Sequence, residues 1–231
     1  MSKHIFVTGT GTDVGKTYVT ALIVKKLRQT GLNAGYFKAA VSGNKRGILN
    51  GKEGLIPGDA AYVDQIAGIQ GDLTEMVPYV YEHAVSPHLA SRLEGNPVKL
   101  EVVKSYFQNI CEKYEYVTVE GSGGILCPIC FDEEKIWLED IVKELDLDSI
   151  LVADAGLGTI NNVVLTASYM KQEGMKIKGI ILNHFHPKEV MEEDNRQMIT
   201  YMTGLPVIAC VKPGDTELDI EAEELAALYR A

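Results

Sequence analysis

Short runs of apolar and β-branched residues alternate along this chain with longer stretches whose apolar positions recur every three or four residues. That alternation of strand and helix periods is the pattern of crossover units built on a parallel sheet. It predicts strands at residues 5–8, 33–38, 116–120, 149–154, 178–183 and 206–211, and helices at 17–30, 98–114, 138–144, 160–173 and 189–203. A last helix is expected over 219–229. The segments SILVAD and KGIILN are apolar at every alternation, as strands covered on both faces require. Gly31, Gly174 and Gly204 fall just past expected helix ends, where a left-handed cap favours glycine. Residues 41–58 hold five glycines and show no apolar period, so they are expected to be the longest irregular segment. No internal repeat or linker interrupts the pattern, and residues 1–231 are read as one domain.

Composition narrows the choices without deciding them. The chain has 22 basic and 32 acidic residues, a net charge of −10, which leaves no basic stripe for nucleic acid. Its apolar runs are too short to span a bilayer and its start lacks a signal-peptide pattern, so a cytoplasmic protein with no membrane contact is expected. The cysteines are Cys111, Cys127, Cys130 and Cys210. Cys127 and Cys130 have the spacing of half a zinc site or a redox pair, but no second such pair completes a tetrahedral set. They are expected to be incidental.

The segment VTGTGTDVGKT, residues 7–17, joins an expected strand to an expected helix. It ends in Gly15-Lys16-Thr17, as a phosphate-cradling loop does, yet the usual first glycine would fall at Thr10 and Gly9 comes one residue early. Gly9, Gly11 and Gly15 let backbone amides turn toward phosphate oxygens, Lys16 supplies a point charge, and the Thr17 hydroxyl can ligate magnesium. The loop is therefore a nucleotide site one residue longer than usual. Membrane-partitioning and chromosome-segregating ATPases have a similar loop with a second lysine five positions before the last one, where this chain has Gly11. The sequence 44–47 lacks the aspartate of a guanine-reading motif, so ATP is expected. Two carboxylates are candidates to complete a magnesium site: Glu120, at the end of a strand in VTVEGSGG, and Asp59, which opens a helix in PGDAAYV. Asp59 could equally be a helix cap. Lys38 ends the second strand in FKAAVSG and should reach the same sheet edge, where it could neutralise charge on a phosphoryl group.

At this point the chain resembles the dethiobiotin synthetases. VTGTGTDVGKT, FKAAVSG, GDAAY, VSPHLAS, VEGSGG, ADAGLGTINN and ILNHF fall in that family's order, nearly end to end. The first and fifth would be shared with cobyrinic acid amide synthases, whereas Ser86–His88 and Gly158–Asn161 narrow the match. The resemblance implies a P-loop NTPase-type α/β fold, a mostly parallel sheet with helices on both faces. It implies an ATP- and magnesium-dependent ligase that closes the ureido ring of dethiobiotin from 7,8-diaminononanoate and carbon dioxide. A carbamate would attack the γ-phosphate, and the second amine would displace phosphate from the mixed anhydride.

Carried onto this chain, Thr12, Asp13, Val14, Gly15, Lys16, Thr17 and Tyr18 would hold the triphosphate. Thr17, Asp59 and Glu120 would be the metal set, and Lys38 with Lys16 the catalytic charges. Glu120, Gly121, Ser122 and Gly123 would line the ATP site. Ser42, Gly121, Gly123 and Gly124, with Lys38, would touch the diamine. Asn183 and His184 would meet adenine, with Lys212, Pro213 and Gly214 closing over it. The family is a homodimer whose substrate carboxylate docks on a helix start of the other subunit, here Gly158, Thr159 and Asn161. The plain alternative is an ordinary helix start capped by Thr159. Ala39 stands where the family commonly has proline, and Asn162 where histidine often follows. His184 and His186, two residues apart, are too few ligands for a metal. An amide synthase and a non-enzymatic nucleotide switch are the competing readings.

Overall fold

The computed structural model describes residues 2–231. Its centre is a six-stranded, all-parallel sheet, and the strands were all anticipated by the apolar runs. In chain order the first elements are β1 (Lys3–Gly9), α1 (Lys16–Gln29) and β2 (Ala34–Lys38). There follow β3 (Ala40–Val41), β4 (Lys45–Leu49), β5 (Lys52–Ile56), α2 (Gly58–Ala67), α3 (Leu73–Met76) and β6 (Tyr79–Val80). The middle of the chain forms α4 (Pro87–Glu94), α5 (Leu100–Lys113), β7 (Tyr116–Gly124), β8 (Pro128–Phe131), β9 (Lys135–Trp137) and α6 (Leu138–Glu144). The last third gives β10 (Ser149–Asp154), α7 (Thr159–Gln172), β11 (Ile177–Asn183), α8 (Val190–Thr203), β12 (Val207–Val211) and α9 (Ala222–Ala227). The sheet order is β12-β11-β10-β1-β7-β2, so the strand that feeds the glycine loop lies inside the sheet.

Both faces of the sheet are buried, which is why its strands read as unbroken apolar runs. Along β10, Ile150 and Val152 join the large core with Phe6, Leu22 and Ile141, while Leu151 and Ala153 join a smaller core with Val163 and Ile199 of α7 and α8. Each fully buried Leu, Ile or Phe contributes about 1.5–3 kcal/mol of transfer free energy. Gly31, Gly174 and Gly204 take φ of 84°, 75° and 68°, the left-handed values expected of residues that end helices.

Residues 41–58 are not irregular. β4 and β5 form an antiparallel hairpin in which Lys45 pairs with Ile56 and Leu49 with Lys52. Its two-residue turn is Asn50-Gly51, at φ 52° and 76°, the pair of left-handed residues that the right-handed twist of a hairpin favours. The apolar period is weak because the hairpin stands off the core: Ile48 is 69% exposed. α4 was also missed. It begins at Ser86-Pro87, a helix-start signature in which proline's fixed φ suits the first turn.

Candidate functional site

A cleft of about 880 Å³ opens at the C-terminal edge of the sheet, where β1, β2 and β7 end. Twelve of the residues expected at the site line it: Thr12, Asp13, Gly15, Lys16, Thr17, Tyr18, Lys38, Ser42, Asp59, Glu120, Ser122 and Gly123. Its remaining wall, Val41, Ala84, Val85, Ser86, Pro87 and Cys127, was not anticipated. The Ser-Pro start of α4 was the available signal for part of it. Cys127 is thus a wall residue of the cleft, and burial pushes its thiol pKa up, against the pull of Lys16 and Lys38.

The phosphate loop is shaped by two left-handed residues, Asp13 at φ 62° and Gly15 at φ 86°. Gly15 is the N-cap of α1 and provides no side-chain cap, so the first amides of the helix stay available to an anion. A Cβ on Gly15 would collide with the Asn183 amide, and one on Gly9 would lie 2.7 Å from a Val14 methyl. Gly124 sits beneath the loop, close to the Gly9 carbonyl and the Gly11 backbone. Lys16 Nζ donates to the Gly11 carbonyl at 2.8 Å. Burial lowers the Lys16 pKa, and the charge of Lys38 lowers it further, while Glu120, Asp59 and Asp13 oppose both.

Lys38 and Glu120 are register partners on β2 and β7. Lys38 Nζ lies 2.7 Å from Glu120 Oε1 and 2.6 Å from Asp59 Oδ2, on the first turn of α2. Thr17 donates its hydroxyl to the same Glu120 Oε1 at 2.7 Å. Asp59 is therefore not the cap of its helix; that position is Pro57, and α2 is held instead by Asn44, whose side-chain oxygen accepts from the Gly58 amide at 2.9 Å. Burial would depress the Lys38 pKa, but Glu120 and Asp59 outweigh it and hold the ammonium above the usual lysine value. Lys38 and Glu120 are buried while Asp59 is partly exposed, so removing the lysine would strand the Glu120 charge, and removing Glu120 that of the lysine.

Other expected residues fall outside the cleft. Gly121 turns inward: a Cβ there would lie 2.7 Å from Phe6 Cζ and 3.0 Å from Leu138 Cδ2. Val14 packs on the core behind the loop. Asn183 lies behind Gly15, donating to the Val14 carbonyl at 3.0 Å, and its own oxygen is buried without a partner. His184 Nδ1 pairs with Asp154 Oδ2 at 2.7 Å, and His186 Nδ1 with Glu192 Oε1 at 3.0 Å. The 212–215 turn, which holds Lys212, Pro213 and Gly214, closes on itself where the Lys212 amide donates to Asp215 Oδ2 at 2.9 Å. The Tyr18 hydroxyl donates to the Asp215 carbonyl, tying that turn to α1. Gly158, Thr159 and Asn161 start α7 and do not line this chain's cleft. The cap of α7 is Gly158, at φ 90°, rather than Thr159, whose hydroxyl is buried without a partner. Leu157, 91% exposed, precedes this start, and Leu165, Val190, Tyr201 and Met202 are exposed on α7 and α8. Among the described residues no helix is long and apolar enough to cross a membrane.

Residues 3–219 match an AAA domain family. An ATP-dependent dethiobiotin synthetase BioD from Brachyspira hyodysenteriae is 50% identical over 95% of this chain and 96% of its own length. One from Clostridium botulinum is 48% identical over 99% of both chains. Among solved structures, a ParA family ATPase from Chlorobium tepidum is similar at a TM-score of 0.57, with 12% identity, covering 98% of this chain and 99% of that one. The MinC:MinD cell division complex of Aquifex aeolicus gives 0.55 at 16% identity, covering 91% and 81%. At such identities these two share the fold alone.

Proposed function

This chain belongs to the ATP-dependent dethiobiotin synthetase family, and we propose that its cleft between Lys16, Lys38, Asp59 and Glu120 is where the ureido ring is closed. The chain is an ATP-dependent ligase of biotin biosynthesis. Its substrates are 7,8-diaminononanoate, carbon dioxide and ATP.

In the proposed course, one substrate amine adds carbon dioxide and loses a proton, giving a carbamate. A carbamate oxygen attacks the γ-phosphorus and ADP leaves. The second amine then attacks the carbonyl carbon of the mixed anhydride, phosphate departs, and the five-membered ring closes. No protein nucleophile is needed, so the chain's share is positioning and charge neutralisation. Lys16 and the uncapped amides at the start of α1 hold the outer phosphates. Lys38 neutralises charge passing between carbamate and phosphoryl oxygens. Ser42, Ser122 and Gly123 line the cleft and would meet the diamine.

Magnesium, when bound, spreads the charge of the triphosphate oxygens. Thr17, Asp59 and Glu120 would hold it, and their chemistry fits: a hydroxyl and two carboxylates are hard oxygen donors. The two acids already hold a cation, the Lys38 ammonium. The His184 ring, half-exposed beside Asn183 and Gly15, is the group that would meet adenine at that end. The 212–215 turn, tied to Tyr18, would cover the base. The exposed apolar side chains of α7 and α8 support a homodimer in which the partner's α7 start receives the substrate carboxylate. Four free cysteines suit the reducing cytoplasm, the compartment we assign.

The observation that carries this reading is the meeting of Lys38 with both acids beside the phosphate loop. Purified protein should release ADP and phosphate only when magnesium, the diamine and bicarbonate are all present. Steady hydrolysis of ATP without the diamine would favour a nucleotide switch and overturn it.

A further inference from the structure

Glu120 has a third partner, and it comes from below the cleft. Tyr36 precedes Lys38 by two residues on β2, so both side chains leave the same face of the sheet. Its register partner Thr118 likewise precedes Glu120 by two on β7. The Tyr36 ring is fully buried, and its hydroxyl donates to Glu120 Oε2 at 2.9 Å. The two carboxylate oxygens are thereby divided. Oε1 meets Thr17 and Lys38 at the cleft, and Oε2 is held inward by the phenol.

We propose that Tyr36 is a positioning residue that fixes the orientation of the Glu120 carboxylate, leaving one oxygen for the magnesium ion of the nucleotide complex. This rests on the assignment of Glu120 to the metal set. The other donors to Glu120 are both groups that nucleotide and metal would engage: Thr17 as a ligand and Lys38 as a charge drawn toward phosphate. Tyr36 alone has nowhere to go, because its ring is fixed in the core. A buried carboxylate whose other donors leave would be free to rotate or to take the ion through both oxygens. The phenol prevents both by keeping Oε2 engaged. Partners that orient a ligating carboxylate change metal affinity about 10- to 100-fold when removed.

Tyr36→Phe keeps the ring and removes the hydroxyl. Manganese binding to the protein–ADP complex, followed by electron paramagnetic resonance, should weaken about tenfold or more. ADP affinity measured without metal should stay within about twofold. Glu120→Gln and the Tyr36→Phe/Glu120→Gln double variant complete a cycle, and the hydroxyl should matter little once the carboxylate is gone. If Tyr36→Phe binds manganese as the wild type does while Glu120→Gln does not, Tyr36 is structural and the inference falls. Wild-type manganese binding in Glu120→Gln would instead remove Glu120 from the metal set. Should Tyr36→Phe fold poorly, Thr118→Val is the control, since it removes a buried hydrogen bond of the same layer, to Tyr229 rather than to Glu120; equal weakening there would also defeat the proposal.

Discussion

Lys38 and Glu120 stand opposite each other on adjacent parallel strands, 2.7 Å apart from Nζ to Oε1. A cation is thus built into the sheet edge beside the phosphate loop, supplied by register rather than by a flexible loop. It stays charged there because the two acids outweigh the effect of burial.

Removing that charge should slow chemistry more than binding. Lys38→Met is expected to lower kcat by about 10²–10³, the usual cost of losing one preorganised electrostatic contact. The KM for ATP should stay within a few-fold. Steady-state kinetics with ATP varied separates the two effects; an unchanged kcat would remove Lys38 from the reaction.

Lys16 should behave in the opposite way. Its ammonium reaches back to the Gly11 carbonyl within the loop that would take the phosphates. Lys16→Gln is expected to weaken ATP binding by at least tenfold, read by calorimetry, because the point charge on the outer phosphates is lost.

Gly15 tests the loop's backbone. At φ 86° an alanine would add about 1–2 kcal/mol of left-handed strain, and its methyl would push the Asn183 amide aside. Gly15→Ala should lower Tm by only about 2–8 °C while abolishing measurable ATP binding. A variant that melts early yet binds normally would show that Asn183 has no part in the nucleotide site.

The strands, the phosphate loop and the Lys38–Glu120 edge were legible because each is local. An apolar run states that both faces are covered, and a lysine at a strand end must emerge at the sheet edge. What escaped was fixed elsewhere. The Asn50-Gly51 turn was a hairpin signal, but the glycine-rich flanks hid the alternation of a two-stranded element with little core to face. Gly121 was expected to bring its backbone near the ligand; it has no room for a side chain, because a Cβ there would meet Phe6 and Leu138. Tyr36 looked like one more core aromatic, since nothing in its spacing announces that its hydroxyl reaches a carboxylate on another strand.

His4 gives the fold a pH dependence away from the cleft. Burial lowers its pKa; Asp146 and Asp148 raise it and Arg230 lowers it, leaving it below 6.5. The unfolded chain therefore holds this proton more tightly. The stability linked to His4 is complete above pH 6.5 and is lost as pH falls through the folded value. Thermal melts from pH 8 to 5 should show a steeper decline for the wild type than for His4→Phe, whose ring would keep the edge contact with Phe107. Parallel declines would mean that the carboxylates alone set the acid limit.

The proposed homodimer makes a prediction that separates assembly from nucleotide binding. Leu165 is 62% exposed on α7 and Tyr201 84% exposed on α8, on the side of the sheet away from the Lys38 edge. Neither touches the cleft, so a charge at either should leave ATP binding intact. Leu165→Glu and Tyr201→Glu are expected to sediment as monomers, because a carboxylate cannot be buried in an apolar interface without a partner. If the partner's α7 start receives the diamine, the monomers should bind ATP normally and show a KM for the diamine raised by an order of magnitude or more. Monomers with an unchanged diamine KM would confine the whole site to one chain and leave Gly158, Thr159 and Asn161 as an ordinary helix start.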